Sequence, residues 1–367
     1  MGLSWPNPSD LLGKPSDAIC WANTRGKGVR RLPLRTEEAG AGLEAQMLPQ
    51  GLDAPAARRR AKEENFPVAL ALLGRQRRAD LLALYGYARF IDDLGDEDLE
   101  QYPDAGRGTE ARLALLHAAR RELAAASTGS ATHAVFAALA PLLQAGRLKE
   151  ETLSRLIEAN IADQKEVRYE SFSDLLQYCS LSANPVGEAV LGIFGRDEED
   201  LVRLSDSICS ALQVIEHLQD LGEDAGRQRF YIPSSDLFRF GATLDDLSAP
   251  SASPALRRTV VLQAKRARSM LGAAPELASR LGGLPGLAVA AFAAGGHAAL
   301  DEIEAHRFDT LSIQPKVRPL RLISHLVGIW RSASKMRRRL PPQWLASSAH
   351  APDAPGRLAS CDRVPRW

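Results

Sequence analysis

Ala211-Leu212-Gln213-Val214-Ile215-Glu216-His217-Leu218-Gln219-Asp220-Leu221-Gly222-Glu223-Asp224 is the stretch that decides how this chain folds. Its apolar residues recur every three or four positions, the period of a helix with one face in a core. Glu216, Asp220 and Asp224 recur every four positions, which places three carboxylates along one helix face. Like charges at that spacing destabilise a bare helix by roughly 0.2–0.5 kcal/mol per pair, so something positive is expected nearby. Arg227 and Arg229 follow within two turns.

A second acidic run lies far upstream. Leu84-Tyr85-Gly86-Tyr87-Ala88-Arg89-Phe90-Ile91 leads into Asp92-Asp93-Leu94-Gly95-Asp96-Glu97, and Asp92 and Asp96 share a face at the same spacing. The carboxylates fall at the C-terminal end of the helix, where the dipole disfavours negative charge. A ligand that supplies positive charge would offset this cost; the alternative is an acidic end that is solvated or paired with Arg75, Arg77 or Arg78. Two facing carboxylate stripes suit Mg2+ held against a diphosphate, and guanidinium groups suit the remaining phosphate oxygens.

The rest of the chain supports an all-α reading. Segments 67–92, 110–126, 133–146, 149–165, 172–195, 197–223, 255–280 and 284–306 carry apolar residues at helical spacing, and β-branched alternation is almost absent. Breaks are expected at 98–108, 127–130, 222–235 and 248–254. Hydrophobic residues make up 45% and charged residues 25%, which is the globular balance, and a net charge of +1 gives no reason to expect nucleic acid. Cys20, Cys179, Cys209 and Cys361 are scattered, as expected of reduced thiols in a cytoplasmic protein. The N-terminus lacks a secretory apolar run, and the apolar stretch 284–300 reads as a buried helix. Residues 1–60 read as a poorly ordered extension, 61–310 as one catalytic domain, 311–340 as a basic amphipathic segment and 341–367 as a flexible tail. The basic segment is expected either to pack on the domain or to lie on an anionic membrane surface.

The paired acidic runs, followed by Arg229-Phe230-Tyr231-Ile232-Pro233, resemble the squalene/phytoene synthase family of head-to-head prenyl transferases. Glu64-Asn65-Phe66-Pro67-Val68-Ala69 and Tyr178-Cys179-Ser180-Leu181-Ser182-Ala183-Asn184-Pro185-Val186-Gly187 resemble the bacterial hydroxysqualene synthase branch of hopanoid biosynthesis; Asp163-Gln164 and Arg168-Tyr169 precede the second run. Three positions depart from the family pattern: Glu216 where Asn is frequent, Glu188 where Arg is common, and Gln228 where Gly is frequent.

The resemblance implies an isoprenoid synthase fold with a central apolar cavity. It implies Mg2+ on Asp92, Asp93, Asp96, Glu97, Glu216, Asp220 and Asp224, with Arg89, Asn184, Arg227, Arg229 and Tyr231 on the substrate. Tyr85 and Tyr178 are expected to line the cavity, with Tyr87, Phe90 and Phe194 as further aromatic faces for a carbocation. The implied reaction is ionisation of presqualene diphosphate, with water capture giving hydroxysqualene. The alternatives are presqualene diphosphate, squalene or phytoene synthesis, or a non-catalytic helical protein that binds isoprenoid or membrane. The implied partners are an isoprenoid diphosphate, a presqualene diphosphate synthase and the inner face of the cell membrane.

Overall fold

Hydrophobic periodicity in this chain becomes two adjoining helical cores. The computed structural model describes Leu48 and residues 74–95, 108–165, 167–312 and 317–339. The extension 1–60, Glu64–Ala69, Asp96, Glu97 and the tail 341–367 lie outside the described residues, except for Leu48, which is buried in the first core.

The first core is built by α1 (Arg75–Gly95), α2 (Thr109–Thr128), the short α3 (Ala134–Ala137) and α4 (Ala140–Gln144), and most of α5 (Glu150–Ala162). Tyr87, Phe90, Leu116, Leu123 and Phe136 are fully buried in it. The second core is built around α6 (Phe172–Ser182), α8 (Glu199–Gln219), the short α10 (Ser234–Phe240), α11 (Pro254–Met270), α12 (Ala274–Leu281) and α13 (Gly283–Ala305). Two helices belong to both. Leu153 and Ile157 of α5 enter the first core and Ala159 the second; on α7 (Asn184–Ile193), Ile193 enters the first and Leu191 the second.

Five local features differ from the sequence expectation. Segments 133–146, 172–195 and 255–280 each form two helices, and Pro141, Pro185 and Pro275 stand in the first turn of the second of each pair. Proline has no N–H to continue a preceding helix and fits a first turn. The helix through 197–223 ends at Gln219; Asp220 takes φ −99° and ψ 14°, and a separate α9 (Leu221–Gly226) follows. A two-residue parallel pair, β1 (Val167–Arg168) with β2 (Arg229–Phe230), joins Val167 to Arg229 and Arg168 to Phe230. A ladder this short leaves no alternation to read in the sequence.

Helix α13 is long and apolar enough to cross a membrane by length and composition. It is a core helix, as the sequence suggested: Ala290, Ala293, Ala294, Ala298 and Leu300 are fully buried. At Gly296 a Cβ would meet Leu212 Cδ2 of α8 at 2.9 Å, so the missing side chain lets the two helices approach. The last helix among the described residues, α14 (Pro319–Arg337), packs Leu322, Leu326, Ile329, Trp330 and Ala333 on the second core.

Candidate active site at the seam of the two cores

The end of α5 faces both acidic runs. Asn160 Nδ2 donates to Asp92 Oδ1 at 3.3 Å, and Gln164 Nε2 donates to the Gly95 carbonyl at 2.9 Å. Between them in sequence, Asp163 Oδ2 accepts from the Tyr178 hydroxyl at 2.7 Å. Asp163 Oδ1 is buried without a hydrogen-bond partner. Burial raises the Asp163 pKa, opposed by the Tyr178 bond and by the charges of Arg229 and His217. Burial also holds the Tyr178 phenol far above its usual range, so it stays a donor.

Tyr178 opens onto a group of rings. Its centroid lies 5.6 Å from Tyr169 and 5.4 Å from Tyr231, and Tyr231 stacks on His217 at 3.6 Å with 10° between planes. His217 Nδ1 lies 3.4 Å from Asp224 Oδ2, and its Nε2 lies 3.2 Å from Gln213 Nε2. The rings thus connect the α5 end to the second acidic run.

That run keeps its spacing across the helix break. The Asp220 N–H donates to the Glu216 carbonyl at 3.0 Å, and the Asp224 N–H donates to the Asp220 carbonyl at 2.8 Å. Asp220 Oδ1 is buried with no hydrogen-bond partner. Burial, then the charges of Glu216, Asp224 and Glu223, push the Asp220 carboxyl up to about 8, with Arg227 opposing. Glu216 is open to solvent at its surface yet enclosed by protein, and this desolvation raises its pKa. Arg227 Nη2 sits 3.1 Å from Glu223 Oε1, and Arg229 enters β2.

The first run is arranged differently. Asp93 is buried and sits 2.9 Å from Arg89 Nη2 one turn earlier. Asp92 is exposed on the side of Asn160. Tyr85 is half-buried against the first core.

Three of the expected aromatic faces are occupied otherwise. Tyr87 and Phe90 are fully buried against Phe136, and Tyr87 donates to the Leu153 carbonyl at 2.9 Å. Phe194 packs on the first core under the Arg77 guanidinium, 5.7 Å from its centroid. All three serve packing, because an aromatic helix stripe fills a core before it lines a cavity.

Asn184 is buried and its Oδ1 accepts from Ser210 Oγ at 2.8 Å, which ties α7 to α8. Glu188 meets Arg155 and Thr152, so a basic group does reach this position, from α5. Gln228 adopts φ 59°, the left-handed region where glycine is at ease and other residues are strained. His217 and Asn160 carried no role in the sequence reading. A single histidine has no local signal, and its partner Tyr231 comes from another element.

The donors suit a hard divalent cation. Among the described residues no three His, Cys, Asp or Glu side chains already converge on one point. Mg2+ is usually held by one or two carboxylates together with substrate phosphates, which matches an orphaned Asp220 oxygen flanked by further acids.

The squalene/phytoene synthase family matches residues 59–321. The hydroxysqualene synthase of Zymomonas mobilis is 35% identical over 213 residues, 57% of this chain and 68% of that protein. A presqualene diphosphate synthase of Rhodopseudomonas palustris is 31% identical over 217 residues, 59% of this chain and 75% of that protein. The crystal structure of squalene synthase HpnC from Alicyclobacillus acidocaldarius superposes with a TM-score of 0.63 at 37% identity, covering 72% of this chain and 98% of that one.

Proposed function

This chain belongs to the squalene/phytoene synthase family and is an enzyme of that type; on that premise we propose that it converts presqualene diphosphate and water to hydroxysqualene and diphosphate. The observation that carries the diphosphate chemistry is the Glu216–Asp220–Asp224 stripe, whose central carboxylate lacks a partner and is pushed up by its acidic neighbours. The similarity to hydroxysqualene synthases favours water as the terminating nucleophile.

Asp92, Asp93, Asp220 and Asp224 are the residues assigned to Mg2+, with Asp96, Glu97 and Glu216 as further donors. When bound, Mg2+ supplies positive charge to the departing diphosphate. Arg227 and Arg229 bind phosphate oxygens, and both follow the stripe closely enough to act with it. Tyr178, fixed by Asp163, presents a protonated hydroxyl and a ring face beside Tyr231. Such faces stabilise a carbocation by roughly 0.5–2 kcal/mol each. The apolar wall of the second core keeps bulk water from the cation until capture. Asn184 acts through α7, and Arg89 through Asp93. The reading includes a presqualene diphosphate synthase as supplier of substrate and contact with the inner face of the membrane, because substrate and product are both lipids.

Purified protein given Mg2+ and presqualene diphosphate without NADPH is expected to release hydroxysqualene and diphosphate. Squalene formed only with NADPH, or consumption of farnesyl diphosphate alone, would overturn the proposal. The second outcome is the one that the similarity to a presqualene diphosphate synthase favours.

A further inference from the structure

Helix α14 has two faces, and the fold uses one of them. Ile329 and Ala333 are buried, and Leu322, Leu326 and Trp330 pack on the second core. The cations near that side are matched by acids of α13. Arg318 Nε and Arg321 Nε each lie 3.3 Å from Glu302 Oε1, and His325 Nε2 lies 2.7 Å from Asp301 Oδ2. Arg337 Nη1 donates to the Ser279 carbonyl at 2.9 Å.

The outward face has a different composition. Leu320, Ile323 and Val327 are 82%, 50% and 49% exposed, and their spacing of three and four sets them on one ridge. Four of the six exposed large hydrophobic residues among those described, these three and Met336, belong to this helix. The ridge continues at the same spacing into Arg331 and Lys335, then Arg338, all exposed. Among the described residues no acid pairs with Arg331, Lys335, Arg338 or Arg339, and α14 itself contains no Asp or Glu. The ridge is therefore aliphatic in its first half and cationic in its second.

We infer that this ridge docks on an anionic lipid bilayer. Leu320, Ile323 and Val327 enter the boundary between headgroups and acyl chains, and Arg331, Lys335 and Arg338 lie on the lipid phosphates. Charge complementarity selects this occupant. A second copy docked by a two-fold contact would set these cations against like charge or against the other ridge's aliphatic half, and α14 offers no acid to meet them. Protein interface cores favour aromatics and exclude Lys, whereas this ridge has Lys335 and no aromatic residue. The inference deepens the membrane contact of the proposed function and rests on that reading only for the benefit of the contact.

The test is co-sedimentation of the full chain with phosphatidylcholine vesicles, with and without about one quarter phosphatidylglycerol. Binding is expected only to the anionic vesicles and to fall as salt rises. Arg331→Glu with Lys335→Glu is expected to weaken it at least about 30-fold. Ile323→Ser with Val327→Ser is expected to weaken it at every salt concentration. All four positions are exposed, and thermal melts of both variants are expected to match the parent. Turnover of detergent-dispersed substrate stays at the parent value in both, which separates failure of this inference from failure of the reaction assignment. Equal binding to neutral and anionic vesicles would overturn the lipid assignment, as would binding indifferent to charge reversal. So would a dimer in sedimentation velocity that the Ile323→Ser, Val327→Ser variant dissolves.

Discussion

The two acidic runs use the same residue types and reach opposite electrostatic states. At the end of α1, Asp93 is buried beside Arg89, and Asp92 is exposed and held by Asn160. Beyond α8, Asp220 has a buried oxygen without a partner, and the charges that act on it most, Glu216, Asp224 and Glu223, are of its own sign, with Arg227 opposing. Among its described residues, the first run already has a cation on one of its two aspartates, Asp93. The second is held in place by the backbone of α8 and α9 and stays short of positive charge until something binds. One run is built mainly for position, the other for attraction.

Asp220→Asn is the most direct way to break this comparison. It keeps shape and removes charge, and turnover at saturating Mg2+ is expected to fall at least about 100-fold, the scale of losing a main transition-state charge stabiliser. Fold loss in circular dichroism would instead make Asp220 structural. Arg89→Ala strikes the other run. Leaving Asp93 buried without its cation is expected to cost about 3 kcal/mol in denaturant unfolding, a loss that Arg89→Ala combined with Asp93→Ala should partly restore.

The pH dependence sharpens the contrast. In the unfolded chain an aspartate ionises near about 4. In the fold Asp220 holds its proton up to about 8. Its contribution to stability is therefore fully present below about pH 4 and is lost as pH rises through about 8. Thermal melts without divalent cation should fall across that window, Asp220→Asn should flatten the fall, and Mg2+ should oppose it. Glu216→Asn is expected to have a smaller effect. Relief of like charge contributes roughly 0.2–0.5 kcal/mol per pair, while apparent Mg2+ affinity in the turnover assay declines. Gln228→Gly is expected to change least, stabilising the chain by about 0.5–1 kcal/mol through relief of a left-handed backbone, with turnover unchanged.

Helices were legible where apolar spacing survives packing: α2, α5 and α13 fall where the periodicity places them, and α8 and α11 begin there. The break at Asp220 was hidden by the regularity of the acids, since four-residue spacing reads as unbroken helix whether or not the axis turns there. The acidic runs themselves were visible because clustered charge is a local signal. At the α5 end, Asp163-Gln164 stood out only through the family resemblance and Asn160 not at all, since its role lies in a contact to a residue 68 positions away. His217 was passed over for the same reason, and Tyr87 and Phe90 were credited with a lining role because periodicity cannot tell a core face from a cavity face.

The end of α5 also bears on recombination between relatives. Asn160 and Gln164 grip the first run while Asp163 grips the rings that lead to the second, so three side chains within five positions hold both halves in register. A chimera that joins one parent's first core to another's second has its natural crossover after Tyr169 rather than at the linker before α5. Cutting earlier would give each parent half of a shared joint. The contacts that still cross such a cut, Tyr178 to Asp163, Arg155 to Glu188 and β1 to β2, are the ones both parents must share for the exchange to work.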